Sequence, residues 1–266
     1  MQFKTAIVGA GDIAQKAYLP YINQSSLFQF YSICSRTQVK DEIVNQYSFD
    51  VVTNDYKKAI EGADVVFVLT PTNTHKIIAW YALNLGKHVL VEKPLCDNLE
   101  DSLELIEFAN RCDSTFYPAF NNFFREENQW LTKQALEGEL GSLELLNFEW
   151  FRTKRHQDKS WLFDPSQAGG GVFIDLGSHL IHYVLNLFPN RNKYQITAKK
   201  LTHLGSVVED TMAVDIIIDD KAIISIKTGW DMPLNKSTHI SFCLYGDQKV
   251  VSTKEYQGLK TDGYSN

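Results

Sequence analysis

The chain has 266 residues, 44% of them hydrophobic and 22% charged. That composition excludes a disordered or collagen-like protein and supplies core enough for one to two domains without a disulfide or metal staple. A net charge of −6 with no basic stripe argues against a nucleic-acid partner.

The first 120 residues alternate short apolar runs with helical stretches. Strands are expected over 3–8, 28–34, 51–52, 64–69, 88–91 and 115–117. Helices are expected over 12–23, 37–47 (opened by a Thr37 cap), 56–61, 74–85 and from 98 or 99 to 111. Continuous apolar runs such as Val65-Val66-Phe67-Val68 suit strands buried on both faces, as in a parallel sheet. The βαβαβ rhythm predicts an α/β Rossmann domain, a doubly wound parallel sheet, over residues 1–121. After Asn121 the pattern changes. A helix over 125–137, a strand over 143–151, an irregular stretch over 154–171 and a helix over 172–188 precede four strand-like runs at 195–204, 211–218, 222–229 and 239–245. Asp219-Asp220 fits a hairpin turn. Residues 122–266 therefore read as an α+β domain with a mostly antiparallel open sheet. Its alternating Ile216, Ile218, Ile224 and Ile226 suggest a sheet that needs cover on both faces, and hence a homo-oligomer, a dimer or larger. The four cysteines are scattered, no run reaches the roughly 18 apolar residues of a membrane span, and no signal peptide opens the chain. The expectation is a cytoplasmic protein with no metal centre and no membrane partner.

Gly9-Ala10-Gly11-Asp12-Ile13-Ala14 is G-x-G-x-x-A between a strand and a helix. Gly9 suits a tight turn, Gly11 lets backbone approach a pyrophosphate, and the amides of the helix start, Asp12 and Ile13 among them, attract phosphate. A plain strand–helix turn would carry the same glycines. An NAD enzyme usually places an acid about 20 residues further on, at the ribose hydroxyls. Here no acid occurs from Ile13 to Lys40, and the second strand ends in Ser35-Arg36-Thr37. A guanidinium fork with two hydroxyls suits a 2′-phosphate, which predicts NADP(H) in preference to NAD(H). A solvated surface arginine is the bland alternative. Two more loops sit at carboxyl ends of strands: Thr70-Pro71-Thr72-Asn73-Thr74-His75, and Glu92-Lys93-Pro94. Thr70, Pro71, Asn73, His75, Glu92 and Lys93 are candidate cofactor contacts, although His75 also fits a capping or core histidine, and Glu92 with Lys93 a surface ion pair. A Lys held before a Pro can polarise a hydroxyl or carbonyl. In the second domain, Gly169-Gly170-Gly171 leads into Asp175, His179 and His182. Asp175 and His179 are four apart on an expected helix, a spacing that suits a general base with a tuning carboxylate. An N-terminal helix Asp with two structural histidines is the plainer reading.

Taken together, the G-x-G-x-x-A, Thr-Pro-Thr-Asn-Thr-His, Glu-Lys-Pro and Gly-Gly-Gly…Asp-x-x-x-His segments resemble the Gfo/Idh/MocA oxidoreductase family, in order and spacing, across nearly the whole chain. The resemblance implies a Rossmann domain followed by a domain whose open sheet mediates oligomerisation. It also implies Lys93, Asp175 and His179 as catalytic residues. Where many members carry an acid three residues after the His, this chain has His182. Members also commonly continue with further helices; the expectation is either a C-terminus that has been shortened or a reduced member, with an effect on cofactor closure in both cases.

The expected activity is hydride transfer between NADP(H) and a secondary alcohol or ketone of a sugar or cyclitol. His179 acts as base, Lys93 hydrogen-bonds the same oxygen, and Asp175 orients substrate or His179. Asn121, Trp161 and His182 are weaker candidates for substrate binding. Two alternatives remain: a reductase of a different carbonyl or an unsaturated ring, such as a dihydrodiol or biliverdin-like substrate, and a nucleotide-sensing regulator without turnover.

Overall fold

The structure, a computed structural model, describes residues 2–153, 161–203 and 207–256. It forms two compact units, Met1–Ala119 and Phe120–Asn266.

The first unit is built on six strands: β1 (Phe3–Val8), β2 (Phe28–Cys34), β3 (Val51–Thr53), β4 (Val65–Val68), β5 (His88–Glu92) and β6 (Phe116–Ala119). All pair in parallel, in the order β3-β2-β1-β4-β5-β6. The period of two in each strand sends its apolar residues to opposite faces. Ala6, Val8, Val66, Val68, Val89 and Val91 pack under Ile78, Ala82 and Leu83 of α4 (His75–Asn84) and Leu105 of α5 (Leu99–Ala109). Ile7, Ile33, Val65 and Phe67 face Leu19 and Ile22 of α1 (Leu19–Gln24) and Ile43 of α2 (Asp41–Gln46). A fifth helix, α3 (Tyr56–Glu61), is capped by the Asp55 carboxylate on the Lys57 amide. The strand order reverses between β1 and β4, and ligands of open α/β sheets bind at the carboxyl ends of strands flanking such a point.

The helix expected over 37–47 begins only at Asp41. Val39, Ile43 and Tyr47 are all buried, which imitates helical spacing, but Lys40 is extended (φ −61°, ψ 136°), so Val39 reaches the core from non-helical chain. Thr37 does not cap it; its hydroxyl lies 3.3 Å from that of Ser35.

The second unit carries β7 (Leu143–Arg152), β8 (Tyr194–Leu201), β9 (Thr211–Ile218), β10 (Ala222–Gly229), β11 (Thr238–Gly246) and β12 (Val250–Ser252) in the order β12-β11-β7-β10-β9-β8. All neighbours are antiparallel except β7 and β10. The expected run 195–204 gives β8, which stops at Leu201; residues 204–206, like 154–160 of the expected irregular stretch, lie outside the described residues. At the β9–β10 turn Asp219 and Asp220 both have positive φ, 51° and 55°, and the Lys221 amide closes the turn on the Ile218 carbonyl at 2.9 Å. This is the doubly left-handed hairpin turn whose twist matches paired strands, and it favours Asp and Asn. One sheet face packs on α6 (Glu126–Leu136) and α8 (Ser178–Leu187), which the short α7 (Pro165–Ala168) precedes in the chain. Leu180, Tyr183, Val184 and Leu187 recur at helical spacing and are all buried there. Ile216, Ile218, Ile224 and Ile226 belong to this same core, each at most 6% exposed. They are covered within the unit and do not themselves call for a second copy. Residues alternating with them face the other side, where Tyr245, Leu145, Ile223 and Ile217 stand in one register row.

Candidate active site

In the first unit the candidate residues converge at the carboxyl ends of β1, β2, β4 and β5. Gly9 ends β1 with φ +109°, and a Cβ there would meet the Leu69 carbonyl oxygen at 2.4 Å, so the turn lies directly against the end of β4. Gly11 differs: a Cβ there would meet nothing within 4 Å. The first helical bond runs from the Gln15 amide to the Gly11 carbonyl at 3.1 Å, which leaves the amides of residues 11–14 ahead of the ladder. Open space over a glycine at a helix start is what a pyrophosphate requires. The residues present therefore fit a dinucleotide. The helix then widens into a π segment, Ala14–Tyr18, before α1. Asp12 points outward and pairs with Lys16 at 2.9 Å. Ser35, Arg36 and Thr37 follow β2, with Arg36 and Thr37 exposed. Burial, with the Asp55 charge second, pushes the Cys34 thiol up to about 11, so it is an inert packing group.

The loop after β4 is braced internally. The Thr74 hydroxyl lies 2.7 Å from both the Thr70 hydroxyl and the Pro71 carbonyl oxygen. His75, expected among the cofactor contacts, is 1% exposed. Its Nε2 meets the Thr70 carbonyl at 2.8 Å and its Nδ1 the Pro94 carbonyl at 2.9 Å. The neutral ring donates its single N–H to one of these carbonyls, the tautomer deciding which, and so ties the two loops together from beneath. Burial holds its imidazole below the ordinary range, with the surrounding carbonyls acting in the opposite sense. Glu92 is also buried. Its Oε1 accepts from the Tyr18 hydroxyl at 2.5 Å and its Oε2 from the Lys93 amide at 3.1 Å. The Lys93–Pro94 bond is cis.

In the second unit Asp175 and His179 are each 9% exposed. Asp175 lies in a π segment, Phe173–Gly177, and His179 in the first turn of α8. Asp175 Oδ2 accepts from the Trp230 indole at 3.2 Å and faces the Arg152 guanidinium at 3.6 Å. The His179 ring rests 5.3 Å from Trp150 and meets Phe120 edge-on at 6.1 Å. Arg152 also lies over the Trp150 ring at 5.6 Å. A buried carboxylate that accepts from one indole and faces one guanidinium, with an imidazole on aromatic walls in the following turn, is an arrangement chemically able to exchange a proton. His182 is a different case. It is stacked on Phe120 at 4.3 Å and meets Phe123 edge-on at 5.3 Å, and burial lowers its pKa. The ring is thus held in place by two phenylalanines. Asn121 is exposed at the start of a 3₁₀ turn, while its neighbour Asn122 is buried and receives the Asn128 amide. Trp161 opens another 3₁₀ turn, half-buried. Among the described residues no His, Cys, Asp or Glu group could hold a metal ion, and no helix is long and apolar enough to cross a membrane. Sequence reasoning missed Tyr18 beside Glu92 in the first unit, and Trp150, Arg152 and Trp230 around Asp175 and His179 in the second. Strand register or tertiary packing brings each to its partners.

The sequence matches known proteins along both units. Residues 3–120 match the oxidoreductase family with an NAD-binding Rossmann fold, and residues 129–252 match the GFO/IDH/MocA C-terminal domain. An uncharacterized oxidoreductase of Schizosaccharomyces pombe is 31% identical over 290 residues, covering 98% of this chain and 75% of its own length. D-glucoside 3-dehydrogenase of Escherichia coli is 25% identical over 261 residues, covering 90% and 74%. A levoglucosan dehydrogenase solved with NADH superposes with a TM-score of 0.84 at 21% identity, covering 95% of this chain and 73% of that one. The chain spans 63% and 54% of the length of two further uncharacterized oxidoreductases, from Synechocystis and Schizosaccharomyces pombe. Both halves match in order and one relative runs beside almost every residue, so the chain belongs to the Gfo/Idh/MocA oxidoreductase family.

Proposed function

We propose that the protein oxidises a secondary alcohol of a sugar or cyclitol, or reduces the corresponding ketone, with NADP(H) preferred over NAD(H). The observation that carries the reading is the buried pair Asp175 and His179, with Asp175 pinned by Trp230 and Arg152 and His179 bedded on Trp150. Similarity to D-glucoside 3-dehydrogenase and levoglucosan dehydrogenase supports a carbohydrate substrate. Gly9, Gly11, Asp12 and Ile13 hold the pyrophosphate at the helix start. Ser35 and Arg36 receive the 2′-phosphate, and the loops of Thr70–Asn73 and Glu92–Lys93 border the nicotinamide end. The bound nucleotide supplies the hydride acceptor. His179 accepts the hydroxyl proton on a ring nitrogen, Lys93 donates a hydrogen bond to a substrate oxygen as negative charge develops on it, and Asp175 fixes orientation. Each turnover releases one proton in the oxidative direction. The outer row Tyr245, Leu145, Ile223 and Ile217 supports self-association of the second unit.

The test is NADPH formation over a panel of inositols, methyl glucosides and anhydrosugars, with Lys93→Met and His179→Ala beside the wild type. Rate losses of about 10²–10⁴ at unchanged nucleotide affinity are expected for His179→Ala. Turnover near wild type in either variant removes that residue from the mechanism. Nucleotide binding with no turnover of any alcohol favours the sensing role.

A further inference from the structure

Asp175 and His179 sit on a helix whose start is not capped by its own sequence. Val172, at the head of the π segment, makes no side-chain cap. The missing acceptor arrives from far along the chain. Both carboxylate oxygens of Glu209 lie 3.1 Å from the Gly171 amide, and Oε1 also accepts from the Phe173 amide at 3.2 Å. The Glu209 backbone carbonyl accepts from the Val172 amide at 2.9 Å. One residue therefore takes three consecutive amides of the helix start. The approach is so close that a Cβ on Gly171 would stand 2.1 Å from the Glu209 carbonyl oxygen and 2.7 Å from its Oε2. The Asp175 amide, in turn, bonds to the Gly171 carbonyl at 3.1 Å.

The next residue continues the brace. Asp210 is 1% exposed; its carboxylate accepts from the His203 amide and from the Thr211 hydroxyl. Its carbonyl accepts from the Trp230 amide at 2.8 Å, and the Trp230 indole is the donor to Asp175. The Glu209–Asp210 pair thus reaches Asp175 twice, through the main chain by way of Gly171 and through the side chain by way of Trp230.

We propose that Glu209 is a positioning residue for the reaction: it fixes the helix start that aims Asp175 and His179 and never touches substrate. A carboxylate accepting several amides at the positive end of a helix does two things. It holds the first turn against fraying, and it adds negative charge that favours the cationic form of a histidine one to two turns on. This inference rests on the assignment of Asp175 and His179 to the reaction.

The experiment compares wild type with Glu209→Gln, Glu209→Ala and Gly171→Ala. One arm measures kcat and KM on a panel alcohol, with nucleotide Kd by fluorescence. The other follows the His179 imidazole by NMR from pH 5 to 8. Glu209→Ala is expected to lower kcat about tenfold with nucleotide Kd unchanged, and Glu209→Gln, which keeps one acceptor oxygen, to recover part of it. Gly171→Ala pushes away the Glu209 main chain and carboxylate together without removing either, and should reproduce the loss. His179 should titrate lower in Glu209→Ala and Glu209→Gln, because an anion has left the helix end. Unchanged kcat in Glu209→Ala, or an unchanged His179 titration in a folded Glu209→Gln, overturns the proposal. If the wild type turns over no panel alcohol, the alcohol-oxidation reading has failed by itself, and the NMR arm alone decides whether Glu209 governs the pair.

Discussion

The two glycines of the first turn answer different physical demands, and alanine at each should fail differently. At Gly9 an alanine must adopt φ +109° with its Cβ 2.4 Å from the Leu69 carbonyl oxygen, 2.6 Å from its carbon and 2.9 Å from the Thr70 nitrogen. All three obstacles are backbone at the end of a buried strand, so none yields by a rotamer change. The left-handed backbone costs roughly 1–2 kcal/mol and overpacking about 1–3 kcal/mol more. A total of about 2–5 kcal/mol lowers Tm by roughly 8–20 °C at about 4 °C per kcal/mol. At Gly11 the same Cβ points into open space and φ is not left-handed, so Tm should hold or rise slightly, since removing glycine freedom stabilises by about 0.4–1 kcal/mol. What Gly11→Ala should lose is dinucleotide affinity, at least about tenfold or 1.4 kcal/mol, because the methyl stands where the pyrophosphate approaches. Differential scanning fluorimetry and NADPH fluorescence titration read both effects. Gly9→Ala at wild-type Tm would refute the packing argument, and Gly11→Ala with wild-type affinity would show that the pyrophosphate does not lie over this turn.

Arg36→Ala should weaken NADPH binding by about 10- to 150-fold, the equivalent of about 1.5–3 kcal/mol for a charge-assisted contact, and leave NADH binding alone; equal wild-type affinities for the two nucleotides would defeat the NADP(H) preference. His75 and His182 both titrate below the ordinary 6.5 because burial disfavours their cations. The unfolded chain therefore binds more protons as pH drops below about 6.5, so their contribution to stability is full above that pH and declines beneath it. Urea midpoints measured from pH 7.5 to 5 should fall, and His182→Phe, which keeps the stack on Phe120, should flatten part of that decline; a flat wild-type curve contradicts the assignment. Ile223→Lys should dissociate an assembly formed through the outer sheet face, whereas light scattering of the wild type near 30 kDa would dismiss self-association.

The first unit was largely legible because its signals are local. Continuous apolar runs and glycine punctuation give the parallel strands, and G-x-G-x-x-A marks the turn over β1. The start of α2 was misread because burial of Val39 from extended chain mimics helical spacing. Register and long-range contacts were not legible. Nothing near residue 175 announces that Trp230, 55 residues and three strands further on, donates to it, or that Glu209 caps its helix from 36 to 38 positions down the chain. His75 shows the converse. Its position beside a cofactor loop suggests an outward-facing ligand contact, but the ring is 1% exposed between the Thr70 and Pro94 carbonyls, which only the folded loops bring together.

Both helices that begin at a candidate site open with a π segment, Ala14–Tyr18 before α1 and Phe173–Gly177 before α8. Each amounts to one residue more than an α-helix needs for the same rise. The end bearing the functional groups and the end bearing the packed face therefore need not share one helical phase. In the second helix, Leu180, Tyr183, Val184 and Leu187 keep their seats against the sheet whatever angle Asp175 takes. Evolution can then adjust the aim of the carboxylate through a single inserted or lost residue while the core is conserved. Removing one residue of that segment would turn Asp175 by about 100° against the same buried stripe, one residue's share of a 3.6-residue turn, without repacking the unit.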